Sequence, residues 1–294
     1  MLTEQLISQF KALADPVRLR IVSLCAHGEC SVSELTKVMS QSQPRISQHL
    51  KQLCDAQLLE RFRDGHFVYY RVPMRGEQSA TRRRLLALLP DDEPAFEKDF
   101  GKLRQLRDIP ATVPVLTSDD SAFRRLHRAL VELTVAAPLG DLLDIGCGQG
   151  RVLKLLASRS NRAIGVDIDS DARQLARAEL LLAGVENCSL RKGNMYELPF
   201  TDGEFDTVIL DDVLGDADEP ILALCEARRL LSPGGRLLIL AATDNDDATF
   251  LETRFSDWCQ ATGLRLSSPR HIPRNDPRWL LAVATPAIQE TAAA

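Results

Sequence analysis

The chain has 294 residues, 45% of them hydrophobic and 26% charged, with a formal net charge of −5. That length exceeds one typical domain and suits two, the composition is that of a globular protein, and no apolar run reaches the roughly 18–20 residues of a bilayer span, which argues against disordered, fibrous and membrane-spanning classes. The seven cysteines are scattered and odd in number, so reduced thiols in the cytoplasm are expected, not a disulfide framework. Met1 to Phe10 shows no basic region followed by an apolar stretch, and no signal peptide is expected. The net charge conceals an asymmetry: residues 1–84 hold 13 basic and 8 acidic residues, a net of +5, against −10 for the remainder. A basic module on an acidic body points the first part toward a polyanion.

In chain order, Leu6, Phe10 and Leu13, then Val17, Ile21 and Leu24, recur at helical spacing, and Asp15-Pro16 between them reads as a cap followed by proline at the start of a second helix. A short helix opens at Ser33-Glu34-Leu35 and runs through Met39. Ser40-Gln41-Ser42-Gln43 forms a polar turn, and Pro44 lies in the first turn of a helix reaching about Ala56. In that last helix Ile46, Leu50 and Leu53 share one face, while Gln41, Arg45, Gln48, Lys51 and Gln52 project largely the other way. Arginine and glutamine can make bidentate contacts to guanine and adenine edges, and lysine suits phosphate; a solvated amphipathic helix would read the same way. Two strand-like runs follow, Leu58 to Arg63 and Phe67 to Val72, joined by the turn pair Asp64-Gly65. A helix-turn-helix followed by a hairpin bearing Arg61, Arg63, His66 and Arg71 is a winged helix, whose hairpin would track the sugar-phosphate backbone or the minor groove.

Phe10 to Ile21 (FKALADPVRLRI), Gln43 to Leu53 (QPRISQHLKQL) and Asp64 to Arg71 (DGHFVYYR) resemble the opening helix, recognition helix and wing of ArsR/SmtB-type repressors. The resemblance implies a homodimer that binds a palindromic operator and releases it on binding an effector. By it, the DNA-facing residues are Gln41, Ser42, Gln43, Arg45, Ser47, Gln48, His49 and Lys51, with Arg61, Arg63, His66 and Tyr70 from the hairpin. His49, at the edge of the apolar face, reads equally as a capping or packing residue. Metal-sensing members carry a Cys-x-Cys pair before the turn; here Ser31 and Ser33 stand at those positions. Neutral hydroxyls are poor ligands for soft metals, so arsenic or zinc sensing is not expected, and Cys25 and Cys30 read as small core residues.

Residues 76–110 read as charged and helical. Thr81-Arg82-Arg83-Arg84 precedes an apolar run, Pro90 to Pro94 breaks the pattern, and Phe96, Phe100, Leu103 and Leu106 give a second apolar stripe. In the resembling repressors, helices flanking the winged core form the dimer interface, which makes both segments candidates. The arginine triplet could face phosphates or water. The expected organisation is a winged helix-turn-helix at 1–75, a helical connector at 76–121, a third region at 122–285 and a tail at 286–294.

The third region alternates strand and helix. Strands are expected at Asp141 to Ile145, Ala163 to Asp169, Cys188 to Arg191, Phe205 to Leu210 and Arg236 to Ala241, with helices at Ser121 to Ala137, Val152 to Ser158, Ala172 to Leu182 and Ile221 to Leu231. Such β-α-β alternation means an α/β doubly wound sheet with ligand sites at the carboxyl ends of its strands. After the first strand comes Gly146-Cys147-Gly148-Gln149-Gly150, whose glycines let backbone approach a ligand. Asp167, ending the next strand, is placed to hydrogen-bond ribose hydroxyls.

The spacing Asp144-x-Gly146-x-Gly148-x-Gly150, together with Gly193 to Phe200, Phe205 to Val208 and Leu230 to Leu237, resembles class I S-adenosylmethionine-dependent methyltransferases, so the C-terminal part is expected to be a Rossmann-like class I methyltransferase domain. By that resemblance Asp144, Gly146, Cys147, Gly148 and Gly150 would hold the methionine part and Asp167 the ribose. Ile168, Asn194 and Met195 would surround the adenine, and Asp211 would lie beside the sulfonium. Asn194 stands where aspartate is frequent. Asp211 to Asp218 is acidic where an apolar, histidine-containing stretch is common; it would suit a cationic substrate or mark a pocket no longer used for transfer. No general base is evident, although transfer needs only alignment of nucleophile and sulfonium. Two functions follow: a repressor sensing S-adenosylmethionine or S-adenosylhomocysteine, and an active methyltransferase with an autoregulatory DNA-binding module.

Overall fold

The computed structural model describes residues 2–76, 79–90, 93–107, 121–243, 248–273 and 278–287, and the chain divides into two compact units, residues 1–113 with Arg177–Asn187 and residues 114–176 with 188–294. No helix among the described residues is long and apolar enough to cross a membrane.

The first unit opens with α1 (Leu2–Leu13) and α2 (Pro16–Ala26). Their junction is capped as expected: Asp15 accepts hydrogen bonds from the amides of Val17 and Arg18 at 2.9 Å each. A short strand β1 (Cys30–Ser31) leads to α3 (Val32–Met39), and α4 (Gln43–Asp55) follows after a turn in which Ser40 is left-handed (φ 53°). Ser31 starts α3 by a reciprocal cap. Its hydroxyl accepts from the Glu34 amide at 3.2 Å, while Glu34 accepts from the Ser31 amide at 2.7 Å. The wing is β2 (Glu60–Asp64) and β3 (Phe67–Arg71), with β1 on the far side of β3, and Gly65 (φ 59°) makes the turn between β2 and β3. Ile21, Leu24, Leu35, Ile46, Leu50 and Leu53 bury against one another beneath the wing.

Helices α5 (Ser79–Leu86) and α6 (Pro94–Leu106) stand where a separate connector was expected. Phe96 and Leu103 are buried, and Leu103 is part of the winged core. Arg20 of α2 donates two hydrogen bonds, both 2.7 Å, to the fully buried Asp99 of α6. Leu106, placed on the same stripe by spacing, is 40% exposed instead. Arg82 also departs from expectation: it is buried and donates to the carbonyls of Arg75 at 2.7 Å and Pro73 at 3.2 Å, so of the triplet only Arg83 and Arg84 face solvent.

The chain continues with α7 (Ser121–Ala136), β4 (Asp141–Ile145), α8 (Arg151–Ala157), β5 (Arg162–Asp167), α9 (Ser170–Leu182, of which Arg177–Leu182 count with the first unit), β6 (Cys188–Lys192), β7 (Phe205–Asp211), α10 (Pro220–Leu230), β8 (Leu231–Ala242), α11 (Ala248–Ala261), β9 (Leu264–Leu266), β10 (Arg270–Ile272) and β11 (Trp279–Pro286). The strands form one sheet in the order β10-β11-β8-β7-β4-β5-β6, with β9 on β11. The five strands from β8 to β6 run parallel, and β11 returns antiparallel along β8. Chain direction across the sheet reverses at β4, whose neighbours are β5 and β7. Doubly wound sheets take ligands at such a switch point, beyond the carboxyl ends of the strands.

Replacing Asp99 by Ala removes both acceptors from Arg20. Because the Arg20 side chain is 28% exposed and can hydrate, a loss of about 2 kcal/mol is expected, below that for a fully buried pair. Urea unfolding checks this; an unchanged midpoint would show that α6 does not steady the winged core.

Candidate functional site

The carboxyl end of β4 carries the first candidate site. Gly146 (φ 74°), Gly148 (φ 50°) and Gly150 (φ 74°) all adopt left-handed backbone that disfavours other residues. A methyl group on Gly146 would lie 2.1 Å from Cγ1 of Val213, whereas one on Gly148 would meet nothing within 4 Å. The loop is thus sealed by Val213 at its start and open at its middle. The amides of Gly146 and Cys147 both donate to the Val166 carbonyl, at 2.8 and 3.0 Å, which fixes the loop on β5. Cys147 faces inward. Its amide is spent on β5 and its side chain is buried against Gly165, so it is a packing residue of the loop and not part of its open side.

Asp144 is fully buried, and both its carboxylate oxygens are without a hydrogen-bond partner among the described residues. Burial, reinforced by the charges of Asp211 and Asp167, pushes its carboxyl far above the usual range. Asp211, at the end of β7, has its Oδ1 buried and likewise unpartnered. Burial pushes Asp211 up to about 6, against the pull of Arg151 and with help from Asp212. An uncompensated buried carboxylate is costly, so such a group is either protonated or matched by a cation. The arrangement can hold a positively charged group.

Asp167 accepts from the amides of Gly148 at 2.7 Å and Asp169 at 2.8 Å, which spends part of its acceptor capacity; a carboxylate offers about four lone-pair positions. Ile168 beside it is 71% exposed, an apolar surface at the sheet edge. Asn194 is exposed with its Oδ1 accepting from the Tyr196 amide at 3.2 Å, and Met195 is half-buried against the core. Asp212 ties β7 to β8. It is left-handed (φ 58°), its amide donates to the Leu240 carbonyl, and its Oδ1 accepts from the Ala242 amide.

The second candidate site is the outer face of α4 and the wing. Ser42, Gln43, Arg45, Ser47, Gln48 and Lys51 are exposed, while Ile46, Leu50 and Leu53 are wholly buried. The Ser42 side chain makes no cap hydrogen bond. Gln41 is half-buried with a buried, unpartnered Oε1, and His49 lies 4.0 Å from the Asp15 carboxylate. Gln52 is turned to Arg18, which also holds the carbonyls of Lys11 and Ala12. On the wing Arg61, Arg63 and His66 are exposed. Tyr70 is a correction: it is 8% exposed and packs in the winged core, paired across β1 with Cys30. Arg71 is buried as well and donates to Glu60. Tyr70 lies where β3 runs between β1 and β2, whereas Arg71 lies past the end of β1 and pairs in register with Glu60 of β2.

Sequence reasoning passed over Val213, Arg151 and Arg173. Arg173 is buried and donates to the Asp167 carbonyl at 2.9 Å. Arg151 follows the last loop glycine, a position that could have singled it out; Val213 is recognisable only once β7 and the loop are brought together.

Asp211 yields a pH prediction. Its folded value lies above its unfolded one, so its contribution to stability is present at low pH and lost as pH rises through about 6. The unfolding free energy of this unit should fall between pH 4 and 7, by up to about 3 kcal/mol from this group. Asp211→Asn should flatten that part of the profile in denaturant unfolding, and an already flat wild-type profile would contradict the assignment.

Two family models match the chain: one described as bacterial regulatory protein, arsR family, over residues 15–61, and one described as methyltransferase domain over residues 143–239. The arsenic resistance transcriptional regulator ArsR1 of Pseudomonas putida is 50% identical over 21% of this chain and 50% of its own length. An uncharacterized 37.1 kDa protein in transposon TN4556 of Streptomyces fradiae is 32% identical over 57% of this chain and 51% of its own. The demethylmenaquinone methyltransferase of Symbiobacterium thermophilum is 30% identical over 41% of this chain and 50% of its own. The chain spans about half the length of these curated relatives. It therefore joins an arsR-family helix-turn-helix domain, exposing its α4 face, to a class I methyltransferase domain built on the glycine loop after β4.

Proposed function

We propose that the chain is a transcriptional regulator whose methyltransferase domain binds S-adenosylmethionine or S-adenosylhomocysteine and adjusts operator affinity in response. The observation that carries the ligand reading is Asp144: a fully buried carboxylate, its oxygens unpartnered among the described residues, beneath a loop that is open at Gly148. Both nucleosides carry an ammonium group that would compensate such a charge. Asp144 and the loop glycines Gly146, Gly148 and Gly150 would hold the amino-acid part, with Cys147 contributing packing. Asp167 would take the ribose through its remaining acceptor positions, while Ile168, Asn194 and Met195 would flank the adenine. Asp211 would face the sulfur. When bound, the methylated form supplies an electrophilic methyl on a sulfonium.

On the DNA side, Arg45 and Gln48 are the proposed base readers, with Gln41, Ser42, Gln43, Ser47, His49 and Lys51 around them and Arg61, Arg63 and His66 along the backbone. The proposed active form is a homodimer on a palindromic operator, acting as a repressor. The proposed division is 1–75 for DNA, 76–121 for a connecting helical segment, 122–285 for the nucleoside and 286–294 for a tail. Active methyl transfer is the second reading, favoured by Asp211: a carboxyl titrating at about 6 beside the loop can accept a proton near neutrality.

A duplex selected from a random library by the full chain supplies the operator for the test. Sensing predicts that one nucleoside shifts operator affinity by about 5- to 150-fold, and that the operator shifts nucleoside affinity by the same factor. Asp144→Asn should abolish the shift while leaving DNA binding intact; unchanged affinity across both titrations would leave a DNA-binding protein that does not sense. Arg45→Ala should weaken the selected duplex by about 1–3 kcal/mol and relax its sequence preference, whereas Lys51→Ala should weaken all duplexes alike and reduce the salt slope by about one. Equal loss on every sequence for Arg45→Ala would remove it from the base readers.

A further inference from the structure

A second polar concavity of the methyltransferase unit lies outside the glycine-loop site. Arg124, Arg125 and Arg128 of α7 line a groove of about 930 Å³ together with Glu132, Arg270 and His271. Arg270 is matched, lying 3.1 Å from Glu132, and His271 Nε2 lies 2.5 Å from Oε1 of Glu252. The three α7 arginines are exposed and have no carboxylate partner among the described residues. Arg124 and Arg128 are one helical turn apart, an arrangement in which like charges oppose the helix. Three guanidinium groups on one wall of a concavity whose lining carboxylate, Glu132, is turned to Arg270 instead are relieved by an anion. Guanidinium forks match carboxylate and phosphate oxygens in pairs, and the volume is that of a small-molecule site.

The groove stands on the ligand edge of the sheet. Ile272, at its end, pairs in register with Trp279 of β11, and the Arg151 guanidinium lies 4.8 Å over the Trp279 ring. Arg151 directly follows Gly150 of the loop, so the groove is one strand pair and one stacked arginine from it. We infer that the groove lined by Arg124, Arg125 and Arg128 is a second ligand site, for a small organic anion carrying at least two carboxylate or phosphate groups. The site does not depend on the glycine loop, and it stands or falls separately from nucleoside binding.

Calorimetric titration of the full chain with citrate and with pyrophosphate tests it, with S-adenosylhomocysteine titrated in parallel. At least one anion should bind, and the tighter of the two identifies carboxylate or phosphate as the preferred group. The double variant Arg124→Gln/Arg128→Gln should weaken that anion by about tenfold or more, the loss expected for charge-assisted contacts, while the nucleoside is unaffected. Glu132→Gln should act in the opposite direction, tightening the anion by about threefold by releasing Arg270, an effect that misfolding cannot produce. Absence of binding by either anion, or equal affinity in all three proteins, overturns the proposal. So does a double variant that loses duplex DNA affinity with anion affinity unchanged, which would make the groove a nucleic-acid surface.

Discussion

The methyltransferase domain is organised around a carboxylate with nothing among the described residues to neutralise it. Asp144 lies in the central strand, wholly inside the protein, and neither of its oxygens has a hydrogen-bond partner there. Desolvating a carboxylate to this degree is unfavourable unless a proton or a cation accompanies it. The surrounding features follow from that constraint. The loop above it is left-handed at three glycines, one wedged against Val213 and one facing open space, so that backbone and ligand can come close. Asp211 and Asp167 add negative potential that raises Asp144 further.

The winged unit is arranged on a different principle, the separation of an apolar face from a polar one along a single helix. Ile46, Leu50 and Leu53 have no exposure, whereas Arg45, Ser47, Gln48, Lys51 and Gln52 are exposed. The helix is held from behind: Arg18 reaches from α2 to Gln52 and to the carbonyls that end α1, and Asp99 of α6 fixes Arg20 on the same helix. The outer side chains of α4 are therefore presented by a rigid support, the condition under which a few side chains can read base edges. Ser31 serves the same support: its hydroxyl caps α3 and adds to helix stability.

Much of this architecture is legible without coordinates. The cap at Asp15-Pro16, the turn at Asp64-Gly65 and the glycines after β4 are local signals, because backbone conformation at such positions is decided by neighbouring residues. The β-α alternation likewise foretells the parallel sheet and the edge at which its ligands gather. Errors arise where the fate of a side chain depends on residues far away in the chain. Tyr70 and Arg71 sit on a hairpin whose alternation looks like that of a two-stranded ribbon; β1, two residues long, flanks β3 at Tyr70, and the carboxylates of Glu60 and Glu29 take the guanidinium of Arg71. Arg82 looks like its neighbours Arg83 and Arg84 until the carbonyls of Pro73 and Arg75 come within its reach.

The sequence by itself determined the two modules, their order, the residue types on the exposed face of α4 and the glycine loop with its acidic partners, since each of these depends on spacing within one element or across one turn. Tertiary structure alone decided which charges are compensated. It paired Arg20 with Asp99 and turned Gln52 toward Arg18. Among the described residues it left both Asp144 and the arginines of α7 without counter-charges, one buried and the others exposed. The physical reason is that a charge's energy is set by everything within a few ångströms of it, and those neighbours come from strands and helices that only the completed fold brings together.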